Sequence, residues 1–149
     1  MLQVRNILYP LELSKISPMI VPWAELMAQQ FGAKLHVLHV VPGLEFMGVA
    51  FASEALIERD FPLMIEKTRP WVENFCAEHF KAVKPEVIAV LSGSPAREIV
   101  KYAEENGIDL IVMGTHSQAG LERQLFGSVA DKVTRTSPVP VVTVPPPTD

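Results

Sequence analysis

Residues 109–129 read Asp109-Leu-Ile-Val-Met113-Gly114-Thr-His-Ser-Gln-Ala-Gly-Leu-Glu-Arg-Gln-Leu-Phe-Gly127-Ser128-Val129. An apolar run feeds into Gly114, a small polar loop follows, and a helical pattern opens at Gly127-Ser128. A buried strand, a glycine exit and a second glycine before a helix start are the parts of an anion-binding loop. Glycine lets backbone approach a ligand closely, and the free N–H groups of a helix start favour phosphate. Thr115, His116, Ser117 and Ser128 add side-chain donors. The same letters also suit a surface loop that needs glycines for its turns alone.

The chain on either side sets this strand–loop–helix unit in a series. Val4 to Tyr9 predicts a first strand stopped by Pro10, with Leu11 to Ser14 as the loop at its carboxyl end. Ser17-Pro18 predicts a helix start. Ile20, Ala24, Met27, Ala28 and Phe31 then recur at helical spacing until Gly32. Lys34 to Val41 predicts a second strand closed by Pro42-Gly43, and residues 43–52 carry no clear pattern. Ser53 to Lys81 is the longest helical stretch, with Leu56, Phe61, Met64, Ile65, Val72, Phe75 and Cys76 as its apolar face. Pro62 and Pro70 inside it predict a kink or two pieces.

Glu86 to Leu91 predicts a third strand. Ser94 reads as an N-cap with Pro95 at the first helical position. Ile99, Val100 and Ala103 form that helix's stripe, and Asn106-Gly107 its stop. Leu110 to Met113 is the fourth strand and Ser128 to Thr136 the last helix, where Ser128 and Asp131 fit a capping box. Val139 to Val144 is the fifth strand, and Pro145-Pro146-Pro147 begins a frayed tail.

Near-continuous apolar strands alternating with helices predict one α/β domain over residues 1–149, a doubly wound parallel sheet of five strands. Ligands of such sheets sit outside the carboxyl ends of the strands. That rule gathers three segments at one site: Pro10 to Ser14, Val40-Val41-Pro42, and Gly114 to Ser128. Topology alone does not identify the ligand.

Composition narrows the partners. The 149 residues are 48% hydrophobic and 20% charged, as in ordinary globular domains. Thirteen Lys and Arg against 17 Asp and Glu give a net charge of -4, with no basic cluster to meet a nucleic acid. Cys76 is the single cysteine, so no internal disulfide forms. No basic segment followed by an apolar one opens the chain, and no apolar run approaches a membrane span. The expected compartment is the cytoplasm, with no membrane partner.

Candidate chemistry outside the loop is thin. His36 and His39 are three apart on a strand, point to opposite faces and cannot share one metal ion. His39 reads as a core or near-site histidine and His79 as a surface one. His116 is either a site residue or a solvated one. Cys76 falls on the apolar side of its helix, which favours an inert thiol. There is no Gly-x-Gly-x-x-Gly and no Gly-x-Ser-x-Gly elbow. Gly43 and Gly48 have phosphate-loop spacing, but Val49 stands where lysine is required. Arg123 reads as a phosphate neutraliser or a solvated helix residue. With no evident base to activate water, the chain reads as a binder first.

Four local patterns carry a family likeness. They are Pro10-Leu11-Glu12-Leu13-Ser14, Leu38-His39-Val40, Gly93-Ser94-Pro95, and Gly114, two residues, Ser117, nine residues, Gly127-Ser128. Together they resemble the universal stress protein family along nearly the whole chain. The family's nucleotide-binding branch has Pro-Thr-Asp in the first pattern. In the last it has glycine where Ser117 stands.

The resemblance implies a Rossmann-like, adenine nucleotide alpha-hydrolase-like fold with strand order 3-2-1-4-5. It implies ATP or a related adenine nucleotide with Mg2+, on Pro10, Leu11, Glu12, Val40, Met113, Gly114, Thr115, His116, Ser117, Gly127, Ser128 and Val129. By position, Glu12 would stand near ribose or metal, and Val40 would offer a backbone group to the adenine edge. It also implies a homodimer through the edge strand, with Val139, Val141, Val142, Thr143 and Val144 at the contact. No catalytic residue and no metal-ligating set of the protein's own is implied. Ser117 would be strained where its position needs positive φ, and would add a hydroxyl where it does not. Glu12 is one methylene longer than Asp. The alternatives are a dimeric stress scaffold without nucleotide and a slow ATP hydrolase.

Overall fold

The computed structural model describes residues 1–43, 54–115 and 128–147, without side-chain detail at 54–61 and 128. Its elements alternate: β1 (Asn6–Pro10), α1 (Ser17–Phe31), β2 (Lys34–Pro42), α2 (Glu54–His79), β3 (Val87–Gly93), α3 (Pro95–Glu105), β4 (Leu110–Gly114), α4 (Ser128–Thr136) and β5 (Val141–Val144). All strand pairs are parallel, in the order β3-β2-β1-β4-β5. The expected fold and strand order are those observed.

The sheet is buried on both faces, which is why its strands read as nearly unbroken apolar runs. Tyr9, Leu35, Val37 and Val112 pack with Val21 and Ala24 of α1 and Val72 and Cys76 of α2. On the opposite face Leu8, Leu38, Ile111 and Met113 pack with Ile99 and Tyr102 of α3 and Val133 of α4. Side chains alternate along a strand, so His36 bonds to Tyr102 Oη at 2.9 Å on the α3 side. His39 points to the other face, as expected.

Several local expectations shift. Pro10 ends β1 from within the strand. Backbone groups alternate along β1: Arg5 O accepts from Lys34 of β2, whereas Asn6 O accepts from Asp109 beside β4. Pro10 therefore turns its missing N–H toward β4, just past the last β1–β4 pair, Leu8 with Ile111. The long second helix is one element rather than two, with Pro62 and Pro70 inside it, and its Val72 and Cys76 pack onto the sheet. Met64, read from its spacing as a core residue, is exposed, and so is Phe31, the last residue of the α1 spacing. His79 is half-buried, its ring 4.5 Å from that of Phe75. Ser94 is extended like an N-cap but makes no side-chain cap bond. The last strand starts at Val141, so Val139 lies before it. There Ser137 Oγ accepts from the Val139 N–H and donates to its carbonyl, holding the approach as a turn. Leu56, Phe61, residues 43–52 beyond Gly43, and the Ser128–Asp131 capping box fall outside the described residues or side chains.

Candidate functional site

The helix that follows β1, α1, packs on one face of the sheet and the helix that follows β4, α4, on the other, so the strand order switches at the carboxyl edge between β1 and β4. A cleft of about 480 Å³ lies there. Its floor is the end of β2, Leu38 to Pro42, together with Pro10 to Leu13. Thr68 and Trp71 of α2 form one wall; Pro95 and Ile99 of α3 and Val129 of α4 form the other. Glu12 lines this cleft and also a water-sized cavity of about 10 Å³ bounded by Ser14, Ser17, Met113 and Gly114.

The floor presents unpaired backbone. Lys34 donates to Arg5 O and Leu38 O accepts from Leu11 N, so even-numbered residues of β2 face β1. Leu35 O accepts from Glu86 N and Gly43 N donates to Gly93 O, so odd-numbered residues face β3. In a parallel strand a residue's N–H and C=O point to the same side. Val40 therefore turns both groups toward β1, two residues beyond the final β1–β2 pair, Pro10 with Leu38. Among the described residues no backbone group meets them there.

The β1 loop is held rigidly beside this edge. Leu11 N–H bonds to Leu38 O at 2.8 Å, and Leu11 O lies 2.7 Å from His39 Nδ1. A carbonyl only accepts, so Nδ1 carries the proton. Burial lowers the His39 pKa, the Leu11 bond opposing it in part, so the ring is neutral with Nε2 left as an acceptor. Ser17 Oγ donates to the Glu12 carbonyl, and Tyr9 Oη donates to Ser17 O at 2.9 Å. Burial raises the Tyr9 pKa well above the ordinary phenol value, so the phenol stays protonated. These bonds tie the Glu12 backbone to the first turn of α1.

Pro10, Leu11, Glu12, Val40 and Val129, all predicted from sequence, share the cleft. Met113 and Gly114 reach only the small adjoining cavity, with Pro10 and Glu12. Thr115 is buried and donates its N–H to Val144 O at 3.0 Å. His116, Ser117, Arg123 and Gly127 lie outside the described residues, as does the Ser128 side chain. Sequence reading missed Thr68, Trp71, Pro95 and Ile99 as lining residues. Trp71 carried a signal: it is an aromatic residue beside Val72, off the helix face that Val72 and Cys76 bury. Among the described residues, no cluster of three or more His, Cys, Asp or Glu could hold a metal ion, and no helix is long and apolar enough to cross a membrane.

Comparison with known proteins bears on this edge. The model of the Universal stress protein family matches residues 3–145. Universal stress protein MJ0531 of Methanocaldococcus jannaschii is 34% identical over 141 residues, covering 94% of this chain and 81% of its own. Universal stress protein MJ0577 of the same organism is 30% identical, covering 94% of each chain. The solved structure of MJ0577 superposes with a TM-score of 0.79 at 26% identity, over 99% of this chain and all of that one. A universal stress protein of Archaeoglobus fulgidus in complex with dAMP shares the fold, with a TM-score of 0.58, 24% identity and coverage of 96% and 98%. The crystal structure of a universal stress protein in complex with cAMP also shares the fold, with a TM-score of 0.59, 21% identity and coverage of 96% and 98%.

Proposed function

The chain belongs to the universal stress protein family, and from that premise we propose that it binds ATP or a related adenine nucleotide in the β1–β2 cleft. The observation that carries this reading is the Val40 peptide. An adenine edge offers one donor beside one acceptor, and the outward N–H and C=O of Val40 are the complementary pair. The cleft volume falls within the range of ligand pockets, roughly 300–1,000 Å³.

On this reading the edge of the base meets Val40 beside Leu11, and Glu12 stands toward the ribose or its metal. Met113, Gly114, Thr115, His116, Ser117, Gly127, Ser128 and Val129 form the phosphate side. Mg2+ is commonly held by phosphates and one or two carboxylates. Glu12, a carboxylate in the cleft wall, suits that arrangement, and Mg2+ would there neutralise phosphate charge.

The proposed work is regulatory. Nucleotide binding changes the Gly114–Ser128 segment and so alters which partner the protein meets in the cytoplasm. The assembly is a homodimer through β5. This strand is the sheet edge beside β4, and Val144 O and Pro140 O face β4, which turns the backbone of Val141 and Thr143 outward. Val142 and Val144 anchor the strand to the core.

Calorimetric titration with Mg-ATP, on the native protein and on Gly127→Val, tests the binding reading. Saturable binding that the variant loses supports it. Steady phosphate release would make the protein an ATP hydrolase, and absence of binding would leave the dimeric scaffold.

A further inference from the structure

Trp71 is 68% exposed, more than any other described large apolar side chain beyond Met1 and Leu2 at the chain start. Its neighbour Val72 is fully buried, and Cys76 one turn on is buried too. The core face of α2 is thus filled, and the indole stands off it by about a third of a helical turn. Burial of an aromatic side chain removes roughly 150–250 Å² from water, and here that gain is left unrealised by the fold. The exposed indole is not on a random surface. It lines the cleft together with Thr68, one turn earlier, opposite Pro95, Ile99 and Val129. Thr68 Oγ1 donates to Met64 O at 2.7 Å, so its hydroxyl proton is directed back along the helix.

We propose that Trp71 is a stacking wall for the ring of the bound ligand, and that it makes the cleft select planar aromatic bases as a class. This rests on the nucleotide reading above and deepens it: Val40 reads the edge of the base, and Trp71 holds its face. Every base has a π-face, so the stacking contribution is insensitive to which base is bound. Ligands without a ring gain nothing from Trp71.

The chain has two tryptophans, and Trp23, on α1, is not among the cleft residues. In Trp23→Phe protein the emission therefore comes from Trp71 alone. ATP is expected to quench that emission saturably, and inorganic tripolyphosphate is expected to leave it unchanged. Trp71→Leu is expected to weaken ATP and GTP by the same factor, roughly 5- to 150-fold, the value of one base–aromatic contact. Trp71→Phe should recover most of the loss. Because the side chain is exposed, the variants should keep the native thermal midpoint. If Trp71→Leu binds ATP within twofold of the native protein, the stacking role is wrong while the nucleotide reading survives. If the native protein binds no nucleotide, both fall.

Discussion

His39 Nδ1 lies 2.7 Å from the carbonyl oxygen of Leu11, so β2 and the loop after β1 are joined by a side chain where their backbone ladder has ended. Leu11 thereby has both peptide groups satisfied by β2, its N–H by Leu38 O and its C=O by His39. The outward peptide at this edge is left to Val40. The histidine fixes the cleft floor, its Nδ1 proton donated to the loop.

Acid should expose this dependence. Burial lowers the pKa of both His39 and His36 from 6.5, although Glu86 near His36 opposes it. Between 6.5 and the folded values the unfolded chain binds more protons than the folded one, so stability rises with pH. It should be fully present well above pH 6.5 and decline as pH falls through 6.5 toward the lowered folded values. The double variant His36→Asn, His39→Asn should show a flatter profile of thermal midpoint over that window. Parallel declines in native and variant protein would refute the assignment.

Gly93 and Gly32 should respond differently to alanine. Gly32 has φ +62°, and a Cβ there would meet nothing within 4 Å, so Gly32→Ala faces left-handed strain alone, about 1–2 kcal/mol. Gly93 has φ +143°, and a Cβ there would sit 3.0 Å from the Glu98 side chain. Gly93→Ala should cost about 2–3 kcal/mol and also loosen the Gly43 N–H bond to Gly93 O. Urea midpoints decide the order; a costlier Gly32→Ala would contradict it.

The Cys76 thiol should be inert in the folded protein. Burial, reinforced by nearby Glu73, pushes its pKa up to about 11. At about pH 8 a thiol reagent should label it slowly in buffer and quickly in urea. Equal rates would show that the α2 face opens readily.

Much of this was legible because the physics is local. Continuous apolar strands such as Leu35-His-Val-Leu38 signal a sheet covered on both faces, and Gly32 and Gly107 mark helix ends by their need for positive φ. Pro10, Leu11, Glu12 and Val40 were placed together by topology and family pattern. The place of the α2 wall was not legible, although Trp71 stood out as an aromatic off the buried helix face. Thr68 and Trp71 meet the cleft only because α2 packs across β3 and β2, a long-range choice made by Val72 and Cys76. Phe31 and Met64 misled for the opposite reason: their spacing suits a core face, but each sits at its margin.

The edge strand gives a prediction with the fold held constant. Thr143 turns its N–H away from β4, so Thr143→Pro removes a donor from the free edge and spares the β4 ladder. On the homodimer reading, sedimentation should give a dimer for the native protein and a monomer of near-native thermal stability for Thr143→Pro. A dimeric variant would move the contact elsewhere.

The most direct test of the central claim is the amide resonance of Val40 in nitrogen-15-labelled protein during a Mg-ATP titration. The account predicts a saturable downfield shift of the Val40 amide proton as it donates to the base, reproduced by adenosine alone and absent with inorganic tripolyphosphate. Saturable ATP binding with an unmoved Val40 amide would contradict it, and would put the base elsewhere than on the free peptide at the end of β2.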